Sequence, residues 1–244
     1  MDLTAGRPSP LFDSARRSAQ SEILDGRVET GELAKILADL ARFNGAMLGH
    51  RPVLRWLDRA VRNIPADRPL TLLDIGCGYG DLLRAVRRWA QLRGRPMTLI
   101  GVDLSPQVIG IAHAATDAID AIDYHAADIF DFAPAGPIDF VTTSLVAHHL
   151  SDEMIVRFLR WMETHAGKGW VIYDLQRSRV PFYFIALAGV LLRLHAVVTY
   201  DGRISVARSL TRHEWERAIA QAGIPPQAID LRWFMFRFAI GRLK

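Results

Sequence analysis

Four carboxylates stand in an ordered relation to a run of glycines, and their spacing points to one kind of small molecule. The stretch 72–81 reads Leu-Leu-Asp74-Ile-Gly76-Cys77-Gly78-Tyr-Gly80-Asp81, a loop between an apolar run and an amphipathic one. Glycines let the backbone turn tightly and let a ligand approach with no Cβ in the way. Loops that hold a pyrophosphate over a helix N-terminus carry G-x-G-x-x-G. Here the spacing is G-x-G-x-G, and Asp81 occupies the place of that third glycine. Asp74 and Asp81 bracket the loop, where they repel a phosphate and suit a cationic amine. Asp103 follows the next apolar run, where its two oxygens can accept from both hydroxyls of a ribose. Asp128 follows the third, where a carboxylate can accept from an exocyclic adenine amine. The set describes a nucleoside with a charged amino-acid tail and no phosphates.

Hydrophobic periodicity gives the elements that must hold these residues in place. Apolar runs at Leu70–Ile75, 97–102, Ile122–Ala126, Ile138–Ser144 and 170–173 read as strands. Amphipathic stretches at Asp81–Leu92, 105–115 and 152–166 read as the helices between them, the last capped by Ser151. Apolar strands separated by helices imply a parallel sheet covered on both faces. Thr211 and Glu214 form a capping box for a further helix ended by Gly223. The runs at 228–233 and 234–240 have no helix between them and must pair antiparallel. The first 68 residues read as helical, with Leu33, Ile36, Leu37 and Leu40 on one stripe after a Thr30 cap. A second stripe of Val53, Trp56, Leu57, Ala60 and Val61 follows Pro52. The expected fold is a doubly wound, mostly parallel, seven-stranded α/β sheet with a C-terminal antiparallel β-hairpin and an N-terminal helical cap. The cap takes 1–68, the binding domain 69–244, and a helical lid 180–208 lies on the substrate side.

Asp74-Ile-Gly-Cys-Gly-Tyr-Gly80, Gly101-Val-Asp-Leu-Ser105 and Ala127-Asp128-Ile129 resemble the first three motifs of class I S-adenosylmethionine-dependent methyltransferases of the small-molecule type. The resemblance covers 70–244, and the N-terminal helices resemble the variable caps of those enzymes. It implies S-adenosyl-L-methionine as cofactor and S-adenosyl-L-homocysteine as product. By the same resemblance Gly76, Gly78 and Gly80 shape the wall against the methionine moiety, with Cys77 packed in the same loop. Asp74 holds the amino end through water, Asp103 with Leu104 beside it takes the ribose, and Asp128 and the Ile129 backbone meet the adenine. Ser144 and Leu145 line the boundary between methionine and acceptor.

Ala147-His148-His149-Leu150 follows the fourth strand, on the cofactor edge of the sheet. Imidazole titrates near neutrality and can take a proton from an acceptor hydroxyl. Adjacent side chains point different ways, so one of the two is expected to face the substrate. His-His-Leu segments in small-molecule O-methyltransferases of this class are paired with an acid after strand five, and the resemblance implies Asp174 in that place. Phe182, Tyr183 and Phe184 open the apolar run 181–192, which reads as a core helix and as a lid for a flat or greasy acceptor. Arg177, Arg179 and Arg203 flank it and could orient an acidic group. In the cap, Phe43, Asn44, Met47, His50 and Arg51 could close over the acceptor.

The chain has 30 Lys+Arg against 26 Asp+Glu, a net charge of +4, and half its residues are hydrophobic, which excludes a disordered chain. Arginines interleave with carboxylates and form no phosphate-binding stripe, so no nucleic-acid partner is expected. One cysteine makes neither an internal disulfide nor a multi-Cys zinc site, which fits a cytoplasmic setting with no metal. The run 181–192 is shorter than the ~20 residues a spanning helix needs, which leaves weak membrane-surface contact at most. The expected activity is O-methylation of a phenolic, quinone-like or polyketide-type small molecule of secondary metabolism, by a monomer or homodimer. C- or N-methylation, and a non-catalytic nucleotide-binding partner of the same fold, stay open. A nicotinamide-dependent oxidoreductase is opposed by the glycine spacing.

Overall fold

The computed structural model describes residues 3–244; Met1 and Asp2, the first residues of the expected cap, lie outside the described residues. Its centre is a seven-stranded sheet. In chain order the strands are β1 (Leu70–Ile75), β2 (Met97–Asp103), β3 (Ile122–Ala126), β4 (Ile138–Ser144), β5 (Ala166–Leu175), β6 (Ile229–Phe234) and β7 (Arg237–Leu243). In space they run β3-β2-β1-β4-β5-β7-β6, and β7 is antiparallel to both of its neighbours.

Alternate residues of each strand feed two cores, because successive side chains leave a strand on opposite faces. Leu72, Phe140, Val171 and Tyr173 pack under α2 (Arg51–Ala60) and α3 (Asp81–Leu92). Leu73, Val141, Trp170 and Ile172 pack under α5 (Asp152–His165) and α8 (Arg212–Gln221). Ser105 caps α4 (Pro106–Ala114) and Ser151 caps α5, each side chain accepting from an amide three residues on. The capping box of Thr211 and Glu214 opens α8.

The two N-terminal helices have different neighbours. In α2, Trp56 stands edge-on to Phe140 at 5.7 Å between ring centroids and covers Gly169 and Gly241, where a Cβ would strike the indole. That helix is part of the sheet's own core. By contrast, α1 (Thr30–Ala46) packs over the edge, with Ile36 against Ile23 and Val197, and Leu33 and Leu37 against Ile111. Its N-cap is Glu29 rather than Thr30: the carboxylate accepts from the amides of Gly31 at 2.9 Å and Glu32 at 3.0 Å.

The region 180–208 is a pair of helices, α6 (Arg179–Leu191) and α7 (Ala196–Arg208). Buried Asp201 interrupts the apolar pattern of α7, which hides the helix from a periodicity reading. Its carboxylate accepts from the amides of Ile23 at 2.7 Å and Leu24 at 3.0 Å, anchoring the N-terminal segment. On α6, Val180, Tyr183, Leu187, Val190 and Leu191 are exposed. Among the described residues, no helix is long and apolar enough to cross a membrane.

The β6–β7 hairpin turns at Met235 and Phe236, with φ of 46° and 65°. Two successive positive φ values suit the twist of a tight hairpin, but they are uncommon outside Gly and Asn. Without that turn signature the sequence puts the second strand at 234, three residues ahead of its start at Arg237.

Trp56→Ala should cost about 3–5 kcal/mol in urea unfolding, the usual range for an emptied tryptophan site. A loss below about 1 kcal/mol would show that α2 is dispensable to the sheet.

Candidate active site

Strand β1 pairs with β2 on one side and β4 on the other, so the chain's winding reverses there and the carboxyl ends part into a crevice. The loop at its floor begins with Gly76 at φ 66°, whose missing Cβ would run into the Cγ2 of Val146. The amides of Gly76 and Cys77 both donate to the Val102 carbonyl, at 2.7 and 3.1 Å. Gly78, at φ 51°, faces open space where a Cβ would stand. Its amide donates to Asp103 Oδ2 at 3.1 Å, while Ser105 N donates to Oδ1 at 3.0 Å. Each oxygen of Asp103 thus holds one backbone amide and keeps a lone pair for a further donor.

A cavity of about 610 Å³ opens above this floor, within the usual range for small-ligand sites. It brings together Asp74, Gly76, Cys77, Gly78, Asp103, Leu104, Asp128, Ile129, Ser144, Leu145 and His149. Gly80 lies behind the wall, closed off by the hydroxyl of Tyr124. Leu104 is an exposed apolar side chain at the rim, fit to cover a flat ring. Asp128 uses Oδ1 to accept from Phe130 N at 2.9 Å, and its other oxygen is available. Leu145 stands at φ 60°, an uncommon conformation in which its amide donates a hydrogen bond to the Tyr173 carbonyl at 2.9 Å. The donor set and the open space over Gly78 fit S-adenosylmethionine: a diol at Asp103, an amine at Asp128, and a tail over the loop.

Burial raises the Asp74 pKa to about 8, with the charges of Asp81 and Asp103 adding to it against the Thr142 hydroxyl bond at 2.8 Å. Asp74 thus holds its proton more tightly than an ordinary carboxyl. Burial, and then Asp74 and Asp103, push the Cys77 thiol far up, so it packs as an inert small group. Asp81 is paired with His50 Nε2 at 2.9 Å, across to the start of α2.

The two histidines face different surroundings. His148 is 3% exposed and does not line the cavity; its Nδ1 lies 2.7 Å from Asp174 Oδ1, and its own amide donates to Oδ2 at 3.1 Å. Burial would raise Asp174, but the neighbouring imidazole and these donors hold it below the usual carboxylate range. His149 lines the cavity, with Nδ1 3.2 Å from Asp25 Oδ1. Its Nε2 is 3.9 Å from Glu22 Oε2, too far for a hydrogen bond.

Glu22 and Asp25 belong to an N-terminal strap that no motif announces. Arg17 ties the strap to the carbonyls of His148, Leu150 and Arg208 and to Asp152. Ser205 donates to Glu22 at 2.9 Å, and Arg208 pairs with Asp25 at 2.7 Å. The Glu22, His148 and His149 ligand atoms lie within 4.8 Å of one another, but Arg208 Nη1, 3.7 Å from Glu22, already supplies a cation there. Leu24, Asp25 and Gly26 of the strap, with Leu33, Leu37, Leu40, Ala41 and Asn44 of α1, cover the cavity.

This cover differs from the one expected, since no residue of 180–208 lines the cavity. Phe182 is buried against Phe12, Tyr183 points outward, and Phe184 meets Phe236. The flanking arginines are likewise elsewhere: Arg177 is buried on Glu214 at 2.6 Å, Arg203 lies over the Phe182 ring, and Arg179 is exposed. The arginine that does line the cavity is Arg237, the first residue of β7.

The family model described as a methyltransferase domain matches residues 47–225. Trans-aconitate 2-methyltransferase of Azoarcus sp. (strain BH72) is 32% identical over 90 residues, 36% of this chain and 32% of that protein. Ubiquinone biosynthesis O-methyltransferase of Bradyrhizobium diazoefficiens is 32% identical over 119 residues, 48% of this chain and 45% of that protein. The chain thus spans between a third and a half of the length of these curated relatives. Among solved structures, the plantazolicin methyltransferase BpumL, crystallised with a triazolic desmethylPZN analog and SAH, superposes with a TM-score of 0.61 at 14% identity. The match covers 88% of this chain and 99% of that one, and it establishes the shared fold.

Burial raises Glu22 from its ordinary 4.5 to about 7, with Asp201's charge adding to it and His149's opposing it. A raised acid pKa stabilises the fold fully below pH 4.5, and that contribution is lost as pH rises toward 7. Glu22→Gln should therefore gain on the unaltered chain by on the order of 3 kcal/mol between pH 4.5 and pH 7 in urea unfolding. A pH-independent difference would mean that the strap carboxyl ionises as in water.

Proposed function

From the premise that the chain belongs to the methyltransferase-domain family, the class I S-adenosylmethionine-dependent methyltransferases, we propose that it methylates a small-molecule acceptor at oxygen, in line with the acceptor's attacking atom. The observation that carries this reading is the Asp103 carboxylate, fixed by two backbone amides with a lone pair left on each oxygen. S-adenosylmethionine supplies, when bound, a methyl group on a sulfonium with its leaving group already attached. The rest is alignment, exclusion of water and removal of a proton.

Asp103 takes the ribose hydroxyls, Asp128 and the Ile129 backbone take the adenine edge, and the open face of Gly78 receives the chain of the methionine. Asp74 would meet the ammonium of the methionine tail, giving up its proton to solvent as the pair forms. Ser144 and Leu145 hold the boundary, and the positive φ of Leu145 turns the chain away so that the acceptor can approach. The strap and α1 close above and exclude water, which sharpens every electrostatic contact inside. Alignment of this kind accounts for up to ~7–11 kcal/mol in intramolecular reactions.

His149 is the proton acceptor in this reading. A proton on Nδ1 is held by Asp25 at 3.2 Å, and Nε2, which has no hydrogen-bond partner within reach among the described residues, carries the free lone pair. His148 acts through position: with Asp174 it pins the turn that presents His149. A phenol benefits from such a base, because its own pKa lies near 10. A carboxylate acceptor, of the kind the trans-aconitate enzyme's name implies, is already ionised and needs none.

Asp103→Ala should abolish methyl transfer from labelled S-adenosylmethionine to a phenol panel, with circular dichroism showing that the chain is still folded. His149→Ala should lower turnover on a phenol about 10²–10⁴-fold with the cofactor KM unchanged, and His148→Ala should act mainly on stability. Unchanged turnover in His149→Ala would remove the base from the mechanism and favour an acceptor that arrives ionised.

A further inference from the structure

Arg237 is 6% exposed, lines the cavity, and is the only lysine or arginine among the described residues that does so. Its register opposite Leu175 puts it at the carboxyl end of β5, and its guanidinium lies 5.3 Å from the centroid of the Tyr173 ring. Nη2 donates to Asn44 Oδ1 at 2.7 Å, and Nη1 lies against the turn at Gly49. A cation this deeply buried is costly unless an anion meets it. No acid of the cavity does so. Asp25 is held by Arg208 and His149, Asp81 by His50, Asp103 and Asp128 by backbone amides, and Asp74 by Thr142.

We propose that Arg237, held in place by Asn44, is the carboxylate-binding residue of this cavity. A guanidinium with Nη2 held by Asn44 and the Tyr173 hydroxyl beside it still has further N–H donors for a carboxylate, whereas the surrounding aspartates disfavour a phosphate dianion. Arg237 lies outside the stretch 47–225 matched by the family model, so the assignment comes from this chain's own hairpin. Two molecules admitted to the cavity by the proposed function carry the group: the amino-acid tail of the cofactor and an acidic acceptor. The site rests on that function only for the first of these.

The test uses Arg237→Gln, Arg237→Lys and Asn44→Ala, each checked by circular dichroism and thermal melting. Calorimetry follows S-adenosylhomocysteine and methylthioadenosine, which keeps the adenosine thioether and lacks the carboxylate. Citrate and benzoate are titrated separately with no nucleoside present. If the cofactor supplies the carboxylate, Arg237→Gln weakens S-adenosylhomocysteine about 10–100-fold and leaves methylthioadenosine unchanged. Arg237→Lys then recovers part of the loss, and Asn44→Ala shows a smaller loss on the same ligand. If the acceptor supplies it, both nucleosides bind as before, and citrate or benzoate binding seen with the unaltered chain disappears in Arg237→Gln. The proposal is overturned if Arg237→Gln matches the unaltered chain in every titration, or weakens methylthioadenosine as much as S-adenosylhomocysteine. An unaltered chain that binds neither nucleoside strikes the cofactor reading, and the citrate and benzoate titrations then decide Arg237 by themselves.

Discussion

A backbone reversal between β1 and α3 is the constraint on which the site depends. Gly76, Gly78 and Gly80 all stand at positive φ, so the chain can leave the sheet, cross the crevice and enter a helix without a side chain in between. The reversal points the Gly78 amide at Asp103, on the neighbouring strand, and so locks the two ends of the parallel pair together. Had Gly76 carried a side chain, its Cβ would run into Val146, just beyond the end of β4. The floor, the orientation of Asp103 and the room above Gly78 are thus one structural fact.

Above that floor the molecule manages charge by pairing it. The cavity is ringed with aspartates, yet burial favours the protonated form of Asp74, His50 hydrogen-bonds Asp81, and Asp25 meets Arg208 and His149. The strap is held by the same economy of charge: Asp201 caps its amides and Arg17 collects four acceptors around the His148 turn. The cover of the cavity and the setting of His149 thus share a residue, Asp25. What moves the strap also changes the partner of the imidazole.

The sheet was legible because a parallel strand buried on both faces leaves a continuous apolar run, and Leu70–Ile75 is found where that run lies. The glycines and Asp103 were legible because tight turns and strand ends restrict residue type. The strap was not, since Arg17, Glu22 and Asp25 look like ordinary surface charges until α7 packs against them. Nor was Arg237, because its meaning comes from a hairpin that turns on Met235 and Phe236 without a glycine to announce it. Arg177 misled for the converse reason: an arginine near the acceptor edge is common, and Glu214, from the capping box of α8, had already claimed it. Apolar residues of α6 suggested a cover over the pocket, whereas long-range contacts give that place to α1 and the strap.

The most direct test of the account is a crystal structure of the chain grown with S-adenosylhomocysteine. The account requires the ribose hydroxyls on the two oxygens of Asp103, the adenine beside Asp128 and Ile129, and the sulfur facing the side of the cavity that His149 lines. Nucleoside density with the ribose turned away from Asp103, or lying outside the crevice between β1, β2 and β4, would contradict it.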